Sequence, residues 1–170
     1  CNGRSFFSKG ANWIPADAIK GRLKQETVRD LLQSARDGNM NMIRVWGGGI
    51  YESEDFYDLC DELGLMVWQD FMFACAGYPA HNEEFLANVK AEATDNIRRL
   101  RHHASIGLWC GNNECQWLHS LMIPEIEDGT FYGKRIFHEL LPSLLRKLDP
   151  SRPYWPGSPW PEGHSLNPLK

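Results

Sequence analysis

Short apolar runs that break off abruptly into polar residues recur along the chain, with helical stripes between them. The clearest is Ile106-Gly107-Leu108-Trp109-Cys110, followed by Gly111-Asn112-Asn113-Glu114. An apolar run with almost no polar interruption predicts a strand buried on both faces, as in a parallel sheet. The same change occurs over residues 40–46, closed by Gly47-Gly48-Gly49, and over 65–71, which carries Asp70 near its end. A first strand is predicted within 5–15, after an Asn2-Gly3 turn; it ends in Asn12-Trp13 and is stopped by Pro15. A fifth, short one is predicted within 152–160.

Between these runs the period changes to that of a helix. Val28, Leu31, Leu32 and Ala35 form one stripe, and Phe56, Leu59, Cys60 and Leu63 another, with Ser53 as its cap and Gly64 as its stop. Residues 82–103 read as one long helix with Phe85, Val89, Ala93, Ile97 and Leu100 on a face; His102 and His103 are placed as cations at its end. A last helix starts near Phe131 and runs through Leu148, with Pro142 either kinking it or opening a second one. The stretch over 124–129 looks variable, and the tail to Lys170 shows no periodicity.

Strand and helix alternating five times predict a parallel α/β arrangement. A complete (β/α)₈ barrel takes about 250 residues. Five strands in 170 residues therefore predict a partial TIM barrel, the first five βα units of eight. An open doubly wound sheet would carry a glycine-rich phosphate turn after its first strand. Asn12-Trp13-Ile14-Pro15 stands there instead.

In such a barrel the chemistry sits where strands end. Glu114 is delivered there with an amide directly before it, which suits a general acid whose neighbour hydrogen-bonds the substrate. Asn113 and Glu114 could equally cap the helix that follows. Arg44 lies inside an apolar strand and demands a carboxylate partner. Asp70 is the second carboxylate candidate, and Glu52 a third. Three successive glycines without GxGxxG spacing point to backbone passing close to something bulky rather than to a phosphate loop. The loop over 71–79 is apolar enough either to wall a pocket or to pack on its neighbour. Of the seven tryptophans, Trp13, Trp46, Trp68, Trp109 and Trp155 fall at or near strand ends. As a set they suit a pocket that stacks on sugar rings, with core filling as the alternative.

Composition narrows the partners. A formal charge of −4 with scattered Lys and Arg gives no nucleic-acid footprint. No apolar run approaches the roughly 20 residues that span a bilayer, so no membrane partner is expected. Cys1, Cys60, Cys75, Cys110 and Cys115 form no Cys-x-x-Cys pair, so neither a zinc site nor a redox motif is expected. A reduced, cytoplasmic or lysosome-like compartment fits better than a disulfide-rich secreted one. No cofactor is expected.

Lys9-Gly10-Ala11-Asn12-Trp13-Ile14-Pro15, Arg44-Val45-Trp46-Gly47-Gly48-Gly49-Ile50-Tyr51-Glu52, Val67-Trp68-Gln69-Asp70-Phe71 and Trp109-Cys110-Gly111-Asn112-Asn113-Glu114 stand in order along the chain. With Pro150-Ser151-Arg152-Pro153-Tyr154-Trp155-Pro156, they resemble the β-mannosidases of glycoside hydrolase family 2. The resemblance implies that residues 1–170 are the first part of a catalytic barrel. The remainder of that barrel and flanking β-sandwich domains would be its partners, and β-mannoside oligosaccharides its substrates. It implies Glu114 as the acid/base, Asn113 as the holder of the substrate's 2-hydroxyl, and Arg44 as the arginine beside the nucleophile. Trp46 would wall the terminal-sugar subsite, and Asp70, Asn12 and Trp13 would belong to the pocket. The nucleophilic Glu would come from a later strand, so these residues alone should be inactive. Rival readings are a sister exo-glycosidase (β-galactosidase, β-glucuronidase or exo-glucosaminidase), a non-catalytic carbohydrate-binding barrel, and a metal-dependent hydrolase. The scattered His81, His102, His103 and His119 give the last no ligand set.

Overall fold

The computed structural model describes residues 3–122, 131 and 133–160, with the side chains of Leu121 and Met122 left aside. Cys1, the Asn2 half of the first turn, the 124–129 stretch and the tail from 161 lie outside the described residues. Five strands form one sheet in the order β1-β2-β3-β4-β5, every neighbouring pair parallel. They are β1 (Gly10–Trp13), β2 (Met42–Val45), β3 (Met66–Asp70), β4 (Ile106–Cys110) and β5 (Tyr154–Trp155). Sequential order with helical crossovers is the topology of consecutive βα units in a barrel.

The helices are α1 (Gln25–Asp37), α2 (Glu54–Leu63), α3 (Glu83–Leu100), α4 (Cys115–Met122) and α5 (Leu141–Leu148). One sheet face carries Ile43, Val45, Val67 and Gln69, all buried, and the core builds outward from it through Leu32, Phe56, Val89, Ile97 and Leu141. The other face carries Asn12, Arg44, Trp68 and Leu108, which are register partners across four strands. Alternation along each strand makes these two faces distinct.

The stripe of α3 is as expected, but the helix stops at Leu100, and Asn82 caps its start by accepting the Phe85 N–H at 3.1 Å. Ser53 occupies the cap position of α2 without a side-chain cap bond, while Gly64 closes that helix at φ +67°. Leu31, expected in the α1 stripe, is 44% exposed, because α1 packs against α2 while Val28 and Leu32 alone turn fully inward. Pro142 stands at the first turn of α5, where its missing N–H costs nothing. The turn before it, Arg135–Leu140, is π-helical and takes up the mismatch. The first strand is shorter than expected: Phe6 and Phe7 are exposed and only Gly10–Trp13 pairs.

His102 and His103 are not simply cations at a helix end. His103 is buried, its Nδ1 lies 2.8 Å from Asp61 and its Nε2 3.3 Å from Glu54. Asp61 also accepts the Ser105 N–H at 2.6 Å, which ties the end of α2 to the start of β4. Glu54, His102 and His103, and likewise Asp58, Asp61 and His103, come within ligand spacing of each other, a clustering that the scattered sequence positions hid. It sits at the N-terminal ends of β3 and β4, opposite the strand ends that carry Asp70 and Glu114. Both ring nitrogens of His103 already face carboxylates, which suits a structural tie.

Candidate active site

The ladder between β3 and β4 resumes beyond both strands. Asn113 donates its N–H to Phe73 O at 2.9 Å, and its carbonyl accepts the Cys75 N–H at 2.9 Å. On its other side Glu114 N–H reaches Ser158 O at 2.8 Å, and Ser158 N–H reaches Asn112 O at 3.0 Å. Three loops are thereby held in parallel bridges, Ala74 to Asn113 and Asn113 to Ser158. Glu114 then adopts φ +63°, turning the chain out of the ladder and into α4. An L-residue takes that conformation at a cost of about 1–2 kcal/mol, which persists where surrounding bonds dictate the backbone.

The amides divide their duties. Asn112 caps α4 by accepting the Cys115 N–H at 2.9 Å, and its amide nitrogen donates to Pro156 O at 2.8 Å. Asn113 is thereby released from capping. Its Oδ1 accepts from Arg44 Nη2 at 3.0 Å, and its Nδ2 donates to Cys75 Sγ at 3.4 Å. The Cys75 thiol in turn donates to Glu114 Oε2 at 3.4 Å.

Arg44 is held from behind by Asp70. Its Nη2 and Nε lie 2.8 and 3.3 Å from the two carboxylate oxygens, and its guanidinium stands 5.2 Å from the Trp68 ring centre. The Gly47 N–H at 2.9 Å and the Trp68 indole N–H at 2.9 Å complete four donors on Asp70. Burial pushes the Asp70 carboxyl up, against the pull of Arg44, Gly47 and Trp68. With four donors aimed at it, it is held as the carboxylate partner of Arg44. Asn12 accepts from Arg44 Nη1 at 3.5 Å at the exposed side.

Asn12, Arg44, Asp70, Asn113 and Glu114 are therefore brought into one connected group. Two of the expectations need correction. Asp70 is fully buried with both oxygens engaged, so it anchors Arg44 and has no oxygen to offer a sugar or to act as nucleophile. Trp13 is only 8% exposed, packs on Phe56 at 5.0 Å and gives its indole N–H to Glu52, so its ring is core rather than an open stacking face. Glu52 is spent in that bond, and burial raises its carboxyl above the usual range. Trp109 is likewise buried, bonded to Asp149 at 2.8 Å. Trp46 is half-buried and packs against Gly48, where a Cβ would meet its ring carbons at 2.0–2.5 Å. At Gly47 a Cβ would meet Phe73 O at 2.5 Å, so the glycine run does serve close approach.

Cys75 was the residue the sequence concealed. It sits in an apolar loop without a motif, and the φ of +50° that presents its thiol to Asn113 and Glu114 leaves no mark in the residue pattern.

Residues 1–155 match the family model described as glycosyl hydrolases family 2, TIM barrel domain. The chain belongs to that family. Known proteins resemble it to different degrees. A β-mannosidase of Capra hircus is 58% identical over 113 residues, which cover 66% of this chain and 13% of that protein. The crystal structure of a β-D-mannosidase from Dictyoglomus thermophilum superposes with a TM-score of 0.88 at 54% identity, covering 95% of this chain and 20% of that one. A β-glucuronidase of Bacteroides uniformis gives a TM-score of 0.72 at 28% identity over 90% of this chain and 19% of its own. The family 2 chain thus spans about a fifth or less of the length of each of these relatives.

Proposed function

We propose that the enzyme carrying this chain removes terminal β-D-mannose from β-mannosides with retention of configuration, and that Glu114 is its acid/base. The observation that carries the reading is the division between Asn112 and Asn113. Helix capping is done by Asn112, so the Asn113 amide and the Glu114 carboxyl are free of capping at the end of a barrel strand. The greater likeness to the β-mannosidase than to the β-glucuronidase, 54% against 28% identity, supports mannoside over the sister specificity.

A retaining glycosidase places two carboxyl groups about 5–5.5 Å apart across the glycosidic bond. Glu114 gives its proton to the glycosidic oxygen as the bond to C1 breaks and a carboxylate attacks C1. In the second step it takes a proton from water, which displaces that carboxylate. The attacking group comes from a strand beyond these five, since Asp70 and Glu52 are both committed. Asn113, fixed by Arg44, holds the 2-hydroxyl, a bond that strengthens as charge develops on the ring. Trp46 walls the terminal-sugar subsite. The partners are the rest of the barrel and the β-sandwich domains of the complete protein. Among the described residues no helix is long and apolar enough to cross a membrane.

The test is Glu114→Ala in the complete enzyme, assayed on a series of aryl mannosides. General acid catalysis is worth on the order of 10²–10⁴-fold. That loss should appear with poor leaving groups and shrink for dinitrophenyl mannoside, and azide should restore turnover by attacking the glycosyl-enzyme. Equal losses across the series would remove Glu114 from the acid role.

A further inference from the structure

The contacts around Glu114 all run one way. Arg44 has only donors, so Asn113 meets it with Oδ1, and this fixes the amide's orientation. The Asn113 NH₂ group must then face Cys75 Sγ, which accepts it. A thiol has a single proton, and with Asn113 donating to the sulfur that proton is directed to the acceptor on the other side, Glu114 Oε2. Along the path Arg44, Asn113, Cys75, each donor points toward the carboxyl group. Asp70 anchors the far end, with no exposed surface and four hydrogen bonds accepted, two of them from Arg44.

We propose that Cys75 is a positioning residue for Glu114, its thiol fixing which carboxyl oxygen exchanges the proton with the glycosidic oxygen. The inference rests on the acid/base reading of Glu114. Oε2 accepts the S–H bond whether Glu114 is ionised or carries its proton on the other oxygen. The proton is thereby confined to Oε1 in the acid step and returns to Oε1 in the base step. A thiol suits this task because it is a weak donor. It orients the carboxyl group through a single neutral hydrogen bond.

The backbone independently supports the assignment. Cys75 at φ +50° and Glu114 at φ +63° are both left-handed, and they face each other across the Ala74–Asn113 bridge. Two neighbouring loops each hold a non-glycine residue in a costly conformation, and the two side chains so presented meet. Cys75 is the exposed cysteine of the described residues, whereas Cys60, Cys110 and Cys115 are buried. Core packing therefore does not account for a thiol here.

The experiment compares Cys75→Ala and Cys75→Ser in the complete enzyme. Both keep the Cβ, so neither changes the left-handed backbone penalty. With an unactivated aryl mannoside, Cys75→Ala should lower kcat/KM by roughly tenfold, a fraction of the whole general-acid effect. With dinitrophenyl mannoside the loss should nearly vanish, and Cys75→Ser should recover most of the activity. In a Glu114→Ala background Cys75→Ala should cost nothing more, since the effect travels through Glu114. Equal losses on both substrates, or additive losses in the Glu114→Ala background, would reduce Cys75 to a structural residue.

A second measurement reads the contact without turnover. Burial and the Glu114 carboxylate both push the Cys75 thiol up from its ordinary value of 9.0. Glu114→Gln should therefore raise the thiolate fraction and speed alkylation of Cys75 by iodoacetamide several-fold at neutral pH. An unchanged rate would refute the contact. If Glu114→Ala itself lacks leaving-group dependence, the acid/base reading falls. If that dependence stands while Cys75→Ala is silent, the relay alone falls.

Discussion

Replacing Asp70 by Asn keeps the side-chain volume and removes the charge on which the Arg44 network rests. In the native protein the two carboxylate oxygens take Arg44 Nε and Nη2, the Gly47 N–H and the Trp68 indole N–H. Asn offers one oxygen, and its NH₂ group would confront two of those four donors. Removing one partner of a buried ion pair costs about 3–5 kcal/mol, mostly because the other charge is left behind. Arg44 is 15% exposed and water relieves part of that, so the lower end applies, roughly 3–4 kcal/mol. At about 2–4 °C per kcal/mol for a domain of barrel size, the thermal midpoint should fall by roughly 6–16 °C. Calorimetry of the complete enzyme, following the barrel transition, reads this directly. Asp70→Asn combined with Arg44→Met should lose less than Asp70→Asn alone, because no buried charge is orphaned. A midpoint within about 2 °C of the parent, or a double variant worse than the sum of the singles, would refute the reasoning. If Asp70 were the nucleophile, Asp70→Asn would abolish turnover with little loss of stability, the opposite signature.

Two further outcomes follow from the geometry. Gly48→Ala should displace the Trp46 ring, whose carbons lie 2.0–2.5 Å from the added methyl position. KM for the mannoside should then rise several-fold while the thermal midpoint holds, since Gly48 is exposed; an unchanged KM would take Trp46 out of the subsite wall. Asp61 should give the fold an acid-sensitive component. Burial alone would raise its carboxyl, but the hydrogen bonds from Ser105 and His103 outweigh it and hold the group below its ordinary value of 3.8. A depressed carboxylate contributes stability that is present above its unfolded value and lost as pH falls through the folded one. Denaturant midpoints of the parent should therefore drop below about pH 4 more steeply than those of Asp61→Asn, and parallel curves would contradict the assignment.

The strands, their order and the Arg44–Asp70 pair could be read from the residues, because each rests on local pattern or on a single forced pairing. An arginine inside an apolar run has few ways to be satisfied, and Asp70 ends the adjacent strand. The tryptophans resisted the same reading. Trp13 and Trp109 occupy strand ends just as Trp46 does, but the partners that draw them into the core, Glu52 and Asp149, stand 39 and 40 residues away along the chain. Asn112 and Asn113 are adjacent and chemically identical, so only the backbone path decides which caps the helix and which turns to Arg44. His103 looked like a helix-end cation because its acidic neighbours belong to a different helix. Cys75 depended on a positive φ, which no periodicity reports.

The bridges that join the loops after β3, β4 and β5 are made by main-chain groups alone. They impose almost no demand on which side chains stand at Phe73, Asn113, Glu114 and Ser158, provided each keeps its N–H or carbonyl. Proline is barred at Cys75, Asn113, Glu114 and Ser158, since each donates there, and the left-handed φ at Cys75 and Glu114 also disfavours β-branched residues at those two positions. The side chains around these strand ends are thus set apart from the main-chain frame that carries the Glu114 carboxyl group. Side chains outside the Arg44–Asn113–Cys75–Glu114 path can be exchanged while the backbone that presents Glu114 stays in place, and a scaffold arranged in this way can vary its rim without rebuilding its frame.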